Sequence, residues 1–532
     1  MGANLADLVQ VAAAERSDVP AIVTTDRTTT WAELERLVRA VSGGLTTRRL
    51  DRGDRVAIVL GNSLEFVTSY FGVLRAGLVA VPINNSYTAT EISAVLTSSG
   101  AKLVIADKQT VKAVREAAGG EVAVVEVGTD EWRRLTVGST PPPDFETDPE
   151  SLAVLIYTAG TSGTPKGAML THRALLANLD QLMRVTDPAP MLPDDVVLIV
   201  LPMFHIYALN AALGLVARCG ATAVISDRFD PELSLRLVQD HNVTNIAGAP
   251  PMYIGWSAIP GFATRMESVR MLASGASPLL PAVYQQFASA GLTIWEGYGM
   301  TEAAPVITSA IVTGVSKPGS VGHPLPGVET KLIDDPGNEV EEGDPGEIIV
   351  RGPNLFSGYW PDGSEGPDAD GWFATGDVAI ADHDGDLRLV DRRRDLILVS
   401  GFNVYPREIE SVIAAAPGVA EVAVVGVTHP YTGEAVKAIV VPSDGVDLQS
   451  EDVLQYAQQH LARFKAPTIV EVVRQLPHSV TGKIMKSGLK EPAADAQSIS
   501  DISDQLKAEQ VVQEEAAVPA SEDAPAEDPN AS

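Results

Sequence analysis

Short apolar runs alternate with segments whose apolar residues recur at helical spacing, and this alternation constrains the chain to parallel sheets. Val56–Leu60 is one such run. Leu64, Val67, Phe71 and Leu74 follow at the spacing of a helix face. Leu78–Pro82 is the next run, with Ile92, Val95 and Leu96 marking a second helix before a third strand at Leu103–Ala106. A helix lying between two apolar strands returns the chain to the same edge of the sheet, so neighbouring strands run in the same direction. A Pro-rich acidic connector covers 140–149, after which the pattern resumes to about residue 330. From 340 to 390 it gives way to short strands with Gly, Asp and Pro turns, the mark of a β-rich subdomain. A compact α/β module begins after Arg394. Pro406 suits the first turn of a helix running through Ala416, and 420–427 and 435–442 read as strands.

The last 42 residues, 491–532, carry eleven acids and one lysine and no aromatic residue. Such a segment cannot bury enough apolar area to offset its chain entropy, so a disordered acidic tail is expected. The whole chain of 532 residues has a net charge of −30, from 39 basic and 69 acidic side chains. A field of that sign repels nucleic acid and anionic lipid, so no nucleic-acid partner is expected. Anionic small molecules are still allowed, because a pocket can be locally positive. Cys219 is the single cysteine, which excludes an internal disulfide and a multi-cysteine metal site and suits a reducing, cytoplasmic setting. The opening residues lack a basic flank followed by a continuous apolar core, so no secretory leader is expected. Val196–Ala217 holds 22 residues without a charge, long enough to span a bilayer. Pro202, His205 and Asn210 interrupt it, and it reads as a buried strand, a loop and a buried helix. Peripheral membrane contact is left open.

Five segments carry chemistry. The first follows the apolar run Leu152–Ile156: Thr158, Ala159, Gly160, Thr161, Ser162, Gly163, Thr164, Pro165, Lys166 and Gly167. Glycines let backbone N–H groups approach a ligand, the hydroxyls add donors, and Lys166 adds a mobile cation. Such convergence makes a seat for polyphosphate oxygens. The spacing is not that of the Gly-x4-Gly-Lys-Ser/Thr loop. The second is Trp295, Glu296, Gly297, Tyr298, Gly299, Met300, Thr301 and Glu302, where an aromatic ring between two glycines can lie flat on a planar ligand. The third joins Thr375-Gly-Asp377 to the basic run Arg392-Arg-Arg394. The fourth is Leu396 to Pro406, and the fifth is Ser479-Val-Thr-Gly-Lys483. Eight histidines are scattered, with no pair at metal-ligand spacing.

Taken in order, these segments resemble the adenylate-forming superfamily over about residues 10–490, with fatty-acid–CoA ligases the nearest likeness. The resemblance implies a large domain at 1–390, a hinge at 391–395 pivoting on Arg394, and a small mobile C-terminal α/β domain at 396–490. It implies ATP, Mg²⁺ and CoA as the small molecules handled. Tyr298 would stack on adenine, with Glu296, Gly297, Gly299 and the segment Gly275-Ala276-Ser277 around it. Thr301 would bond the α-phosphate, Glu302 would hold Mg²⁺, and Thr161 would add a catalytic hydroxyl. Asp377 and Arg392 would hold ribose. The family's usual hinge residue is Lys or Asp, so Arg394 is a departure. Ser400 and Gly401 match positions near pantetheine, and Asn403 one near the nucleotide. Lys483 matches the catalytic lysine. His205, in Leu201-Pro-Met-Phe-His205, matches a position beside the acyl pocket. His172, just after the phosphate loop, reads as a brace. Pro250–Tyr253 and Ser274–Ser277 are expected to line an apolar acyl pocket without an Asp to grip an amino group.

The implied activity is ligation of a carboxylic acid to CoA, with medium- or long-chain fatty acids first and aryl acids next. Loading of a carrier protein and a non-catalytic role in holding nucleotide or acyl-AMP are the competing readings.

Overall fold

The computed structural model describes residues 3–137, 146–158, 165–334, 336–392, 395–399, 402–429, 433–463, 465–478 and 484–489. Residues 159–164, expected to hold polyphosphate, Arg394, expected as the hinge, Ser400, Gly401, Lys483 and the acidic tail all lie outside them. The chain divides into two compact units. The first runs to Leu396 and includes Tyr405–Ser411 and the segment that starts at Leu476; the second holds Ile397–Val404 and Val412–Gln475.

The first unit is built on three sheets. In the first, the strands Ala123–Glu126, Leu103–Ala106, Arg55–Val59, Val79–Pro82 and Leu152–Thr158 lie side by side in parallel, and Lys166–Thr171 closes the sheet antiparallel. The expected helices separate these strands. Leu64–Arg75 buries Leu64, Val67, Phe71 and Leu74, and Ser63 caps it by accepting from the Phe66 amide. Ala89–Ser99 opens on a reciprocal cap between Thr88 and Glu91.

The second sheet has nine strands. Its parallel core is Ile294–Gly299, Met271–Ser274, Asn245–Gly248, Val196–Ile199, Thr222–Ile225 and Pro20–Val23, with antiparallel strands at both edges. The β-rich region is a four-stranded antiparallel sheet of Glu329–Ile333, Gly346–Arg351, Trp372–Ala381 and Leu387–Arg392.

The uncharged stretch resolves as expected into the buried strand Val196–Ile199, a loop and helix. The helix holds a surprise: Tyr207–Gly214 is a wide π-helical turn that passes into the α-helical Leu215–Cys219. Inside it, the Asn210 amide donates to the carbonyls of Leu175 and Ala304. Wide turns of this kind recur at functional sites. No helix among the described residues is long and apolar enough to cross a membrane.

In the second unit, the long antiparallel pair Val419–His429 and Gly433–Pro442 is flanked by Ile397–Val399 with Phe402–Val404 and by the parallel strand Ile469–Val472. The helix that begins at Pro406 ends at Ile413, three residues earlier than its pattern suggests. Pro417 explains this, because the residues ahead of a proline are pushed out of the helical region. Ala415 and Ala416 make tight turn bonds to Val412 and Ile413 instead.

Candidate active site

The strand Ile294–Gly299 forms the spine of the site. Its partner Val306–Ser309 runs back antiparallel and comes so close that a side chain at Gly299 would stand 2.1 Å from the Pro305 carbonyl oxygen. Only glycine fits there. Tyr298, on the same strand, donates its hydroxyl to Asp377 Oδ2 at 2.7 Å. Asp377 is placed by the strand Trp372–Ala381: its amide donates to the Thr375 hydroxyl, which donates in turn to the Ile348 carbonyl. In the backbone register Asp377 stands opposite Arg392.

Beyond the strand, Thr301–Ala303 makes a single tight turn. It buries the carboxylate of Glu302, whose Oε1 accepts a 2.6 Å hydrogen bond from the Tyr359 hydroxyl. Burial, reinforced by the nearby Glu302 charge, raises the Tyr359 pKa well above the usual tyrosine range, so its phenol stays a donor. Lys166 Nζ lies 5.2 Å from the centre of the Tyr359 ring and pairs with Glu365 at 2.5 Å. The strand pairing sets Lys166 opposite Thr158.

Next to these groups opens a cavity of about 270 Å³. Tyr298, Gly297, Gly299, Thr301, Gly275, Ala276 and His205 line it. The apolar side chains of Leu182, Met191, Ala211, Leu215 and Met271 line it as well. Ala276 holds a left-handed backbone at φ +72°, a strained conformation for a residue with a β-carbon. The Tyr207 ring packs 3.5 Å from where a Gly275 β-carbon would stand.

Two polar atoms in this wall are buried with no hydrogen-bond partner among the described residues: His205 Nε2 and the Ser274 hydroxyl. Burial pushes the His205 pKa down to about 4, so the ring is neutral at ordinary pH. Its loop is held by Asn62, which donates to the carbonyls of Leu201 and Ser226 and accepts from the Met203 amide.

Several expectations change on this geometry. The Glu296 carboxylate does not face the cavity. It accepts from the amides of Leu279 and Gly319, so it braces the loop after the Gly275 segment rather than offering a ligand atom. These two amide bonds hold the carboxylate away from the cavity, even though alternation puts Glu296 on the same strand face as the lining residue Tyr298. Ser277 is not among the cavity-lining residues either, nor are Pro250–Tyr253. Tyr253 is instead fully buried against Trp256 and Phe287, with its hydroxyl on the Ala273 carbonyl. His172 is a brace, but of the chain's start: its Nδ1 accepts from the Leu5 amide, and burial takes its pKa down to about 4. Asn403 pairs through its backbone with Leu398, in the second unit. The sequence reading missed Tyr359, Asn62, Tyr207 and Glu365. Tyr359 sits in Leu355–Trp360, within the region 340–390 whose pattern indicates only short strands and turns, and its place between a glycine and a tryptophan is the one local signal.

Comparison with known proteins agrees with this arrangement. Residues 9–360 match the family model of the AMP-binding enzymes, and 408–483 match that of the AMP-binding enzyme C-terminal domain. The chain belongs to the AMP-binding enzyme family. Among its relatives, a long-chain-fatty-acid–CoA ligase of Escherichia coli O157:H7 is 35% identical over 531 residues, covering 92% of this chain and 94% of that one. A feruloyl-CoA synthase of Amycolatopsis sp. is 36% identical over 467 residues, covering 87% and 93%. The crystal structure of ATP-bound MatB from Rhodopseudomonas palustris superposes with a TM-score of 0.86 at 33% identity, covering 92% of this chain and 98% of that one.

Proposed function

We propose that the chain is an AMP-forming ligase that joins a carboxylic acid to CoA in two half-reactions. In the first, a carboxylate oxygen attacks the α-phosphorus of ATP. An acyl–oxygen–phosphorus bond forms, and the bond to the leaving pyrophosphate breaks. In the second, the CoA sulfur attacks the acyl carbon, AMP departs, and the thiol proton passes to solvent.

Tyr298 supplies the face for the purine, while Asp377 and Arg392 take the ribose. Thr158, residues 159–164 and Lys166 hold the polyphosphate, and Thr301 takes the α-phosphate. Glu302 fits Mg²⁺: it is a buried carboxylate, steadied on one oxygen by Tyr359, and hard oxygen donors suit that ion. When bound, the ion would neutralise phosphate charge.

Lys483 bridges the attacking carboxylate and the α-phosphate, where charge builds up during transfer. Rotation about Arg394 then withdraws it and brings Ser400, Gly401 and Asn403 toward the acyl carbon and the pantetheine arm. Each half-reaction needs different groups beside one carbonyl, and a hinged small domain meets that need. His205, held neutral by burial, orients the carboxylate by a hydrogen bond rather than by charge.

The reading rests on one observation. One cavity is lined both by Tyr298 and Thr301 and by an apolar wall that includes Leu182, Met191, Leu215 and Met271. That wall supports a medium- or long-chain fatty acid. An aryl acid is the second reading, favoured by the likeness to the feruloyl-CoA synthase and by the Tyr207 ring beside Gly275. A cytoplasmic setting accords with the single cysteine.

The test is a panel of carboxylic acids in a pyrophosphate-release assay, with and without CoA. Acid-dependent release that turns over with free CoA supports the proposal. Release that turns over only with a carrier protein bearing a free pantetheine thiol would replace CoA as the acceptor, and no release with any acid would refute the reading.

A further inference from the structure

The turn 358–366 is tied to the strand Lys166–Thr171 by backbone bonds: Met169 donates to Gly358, Ser357 to Met169, and Trp360 to Gly167. The turn is also closed on itself. Tyr359 donates to Ser364 and Gly363 to Tyr359, and a side chain at Gly358 would stand 2.0 Å from the Gly363 oxygen. This double tether delivers Glu365 to the Lys166 ammonium.

The delivery carries a backbone cost. Glu365 adopts φ +53°, a left-handed conformation rare for a glutamate. Such outliers gather at binding sites and switch regions. The Glu365 side chain is 64% exposed and has no burial requirement to explain its position. Its polar partner among the described residues is Lys166, the one cation in the sequence 158–167.

We propose that Glu365 is a built-in counter-anion for Lys166, which it holds when no polyphosphate is present and yields when one binds. This rests on the ligase reading above. Glu365 thereby weakens the hold on ATP and pyrophosphate alike, and it hastens pyrophosphate departure after adenylate formation. An ion pair this exposed competes modestly, which sets the size of the effect at about two- to five-fold.

The experiment uses the full chain and measures acid-dependent exchange of labelled pyrophosphate into ATP at low salt. In Glu365→Gln, the KM for ATP and the inhibition constant of pyrophosphate both fall by about two- to five-fold. The shift shrinks as salt screens the pair, and it vanishes when Lys166→Ala is added. Glu365→Asn, which tolerates the left-handed backbone, gives the same direction and guards against a folding artefact in the first variant. Unchanged or weakened binding in both variants would overturn the proposal, as would an equal shift in the Lys166→Ala background. If the unmodified chain exchanged no pyrophosphate with any acid, the ligase reading itself would fall, and this inference with it.

Discussion

The two ends of the proposed site are built on opposite terms. At the end proposed for the nucleotide the charged and phenolic groups already hold one another: Tyr298 holds Asp377, Tyr359 holds Glu302, and Glu365 holds Lys166. At the end proposed for the acyl group the cavity lining is largely apolar, and two polar atoms in it, His205 Nε2 and Ser274 Oγ, have no partner among the described residues. A buried polar atom without a partner costs roughly 1–3 kcal/mol, so the fold keeps this junction unsatisfied at some expense. A substrate carboxylate would fill that gap. On this proposal one end is organised before its ligand arrives, while the other is completed by it.

The largest expected effect tests whether chemistry sits at the junction between the ends. Lys483→Ala lowers single-turnover adenylate formation by about 10² or more while sparing thioester formation from supplied acyl-AMP. Equal loss in both half-reactions would break the division of labour. At the organised end, Tyr359→Phe frees the Glu302 carboxylate. It raises the Mg²⁺ concentration needed for half-maximal activity by about tenfold, the scale usual for a group that orients a metal ligand. An unchanged Mg²⁺ titration would show that the end is not preassembled for a metal.

At the open end, Ala211→Phe fills the apolar wall. The KM for longer acids rises by about tenfold, while the KM for ATP stays put, as steady-state assays across acids of graded length would show. Movement of both constants together would mean the ends are not separable.

A fourth effect concerns stability. His172 titrates near 4 when folded and near 6.5 when unfolded, so below about pH 6.5 the unfolded chain binds the extra proton first. Its stabilising contribution is complete above that pH and is lost as the pH falls toward 4, by about 3 kcal/mol in all. Denaturant melts between pH 7 and 4 should show this slope flattened in His172→Gln. The smallest effect is none: deletion of 495–532 leaves turnover and melting temperature unchanged.

Much of the fold was legible because hydrophobic periodicity reports it directly. Leu64, Val67, Phe71 and Leu74 are all buried as their spacing requires, and the parallel order follows from the crossovers. The π-helical turn at Tyr207–Gly214 was not legible, because its stability comes from Asn210 reaching carbonyls 35 and 94 residues away. The same division runs through the site. Tyr298, Glu302 and Asp377 could be found because each lies in a compact motif. Tyr359, Asn62 and Glu365 act through pairings across distant parts of the sequence, which no local spacing reveals. Glu296 shows the opposite failure: it lies in the right motif, but the amides of Leu279 and Gly319 take up its carboxylate.

Acid-dependent isotope exchange between pyrophosphate and ATP, measured without CoA, tests the central claim most directly. Exchange that requires both a carboxylic acid and Mg²⁺, and that collapses in Lys483→Ala, is the result expected of a chain that forms an acyl-adenylate in this cavity. Absence of exchange with every acid offered, from a folded protein that still binds ATP, would contradict it.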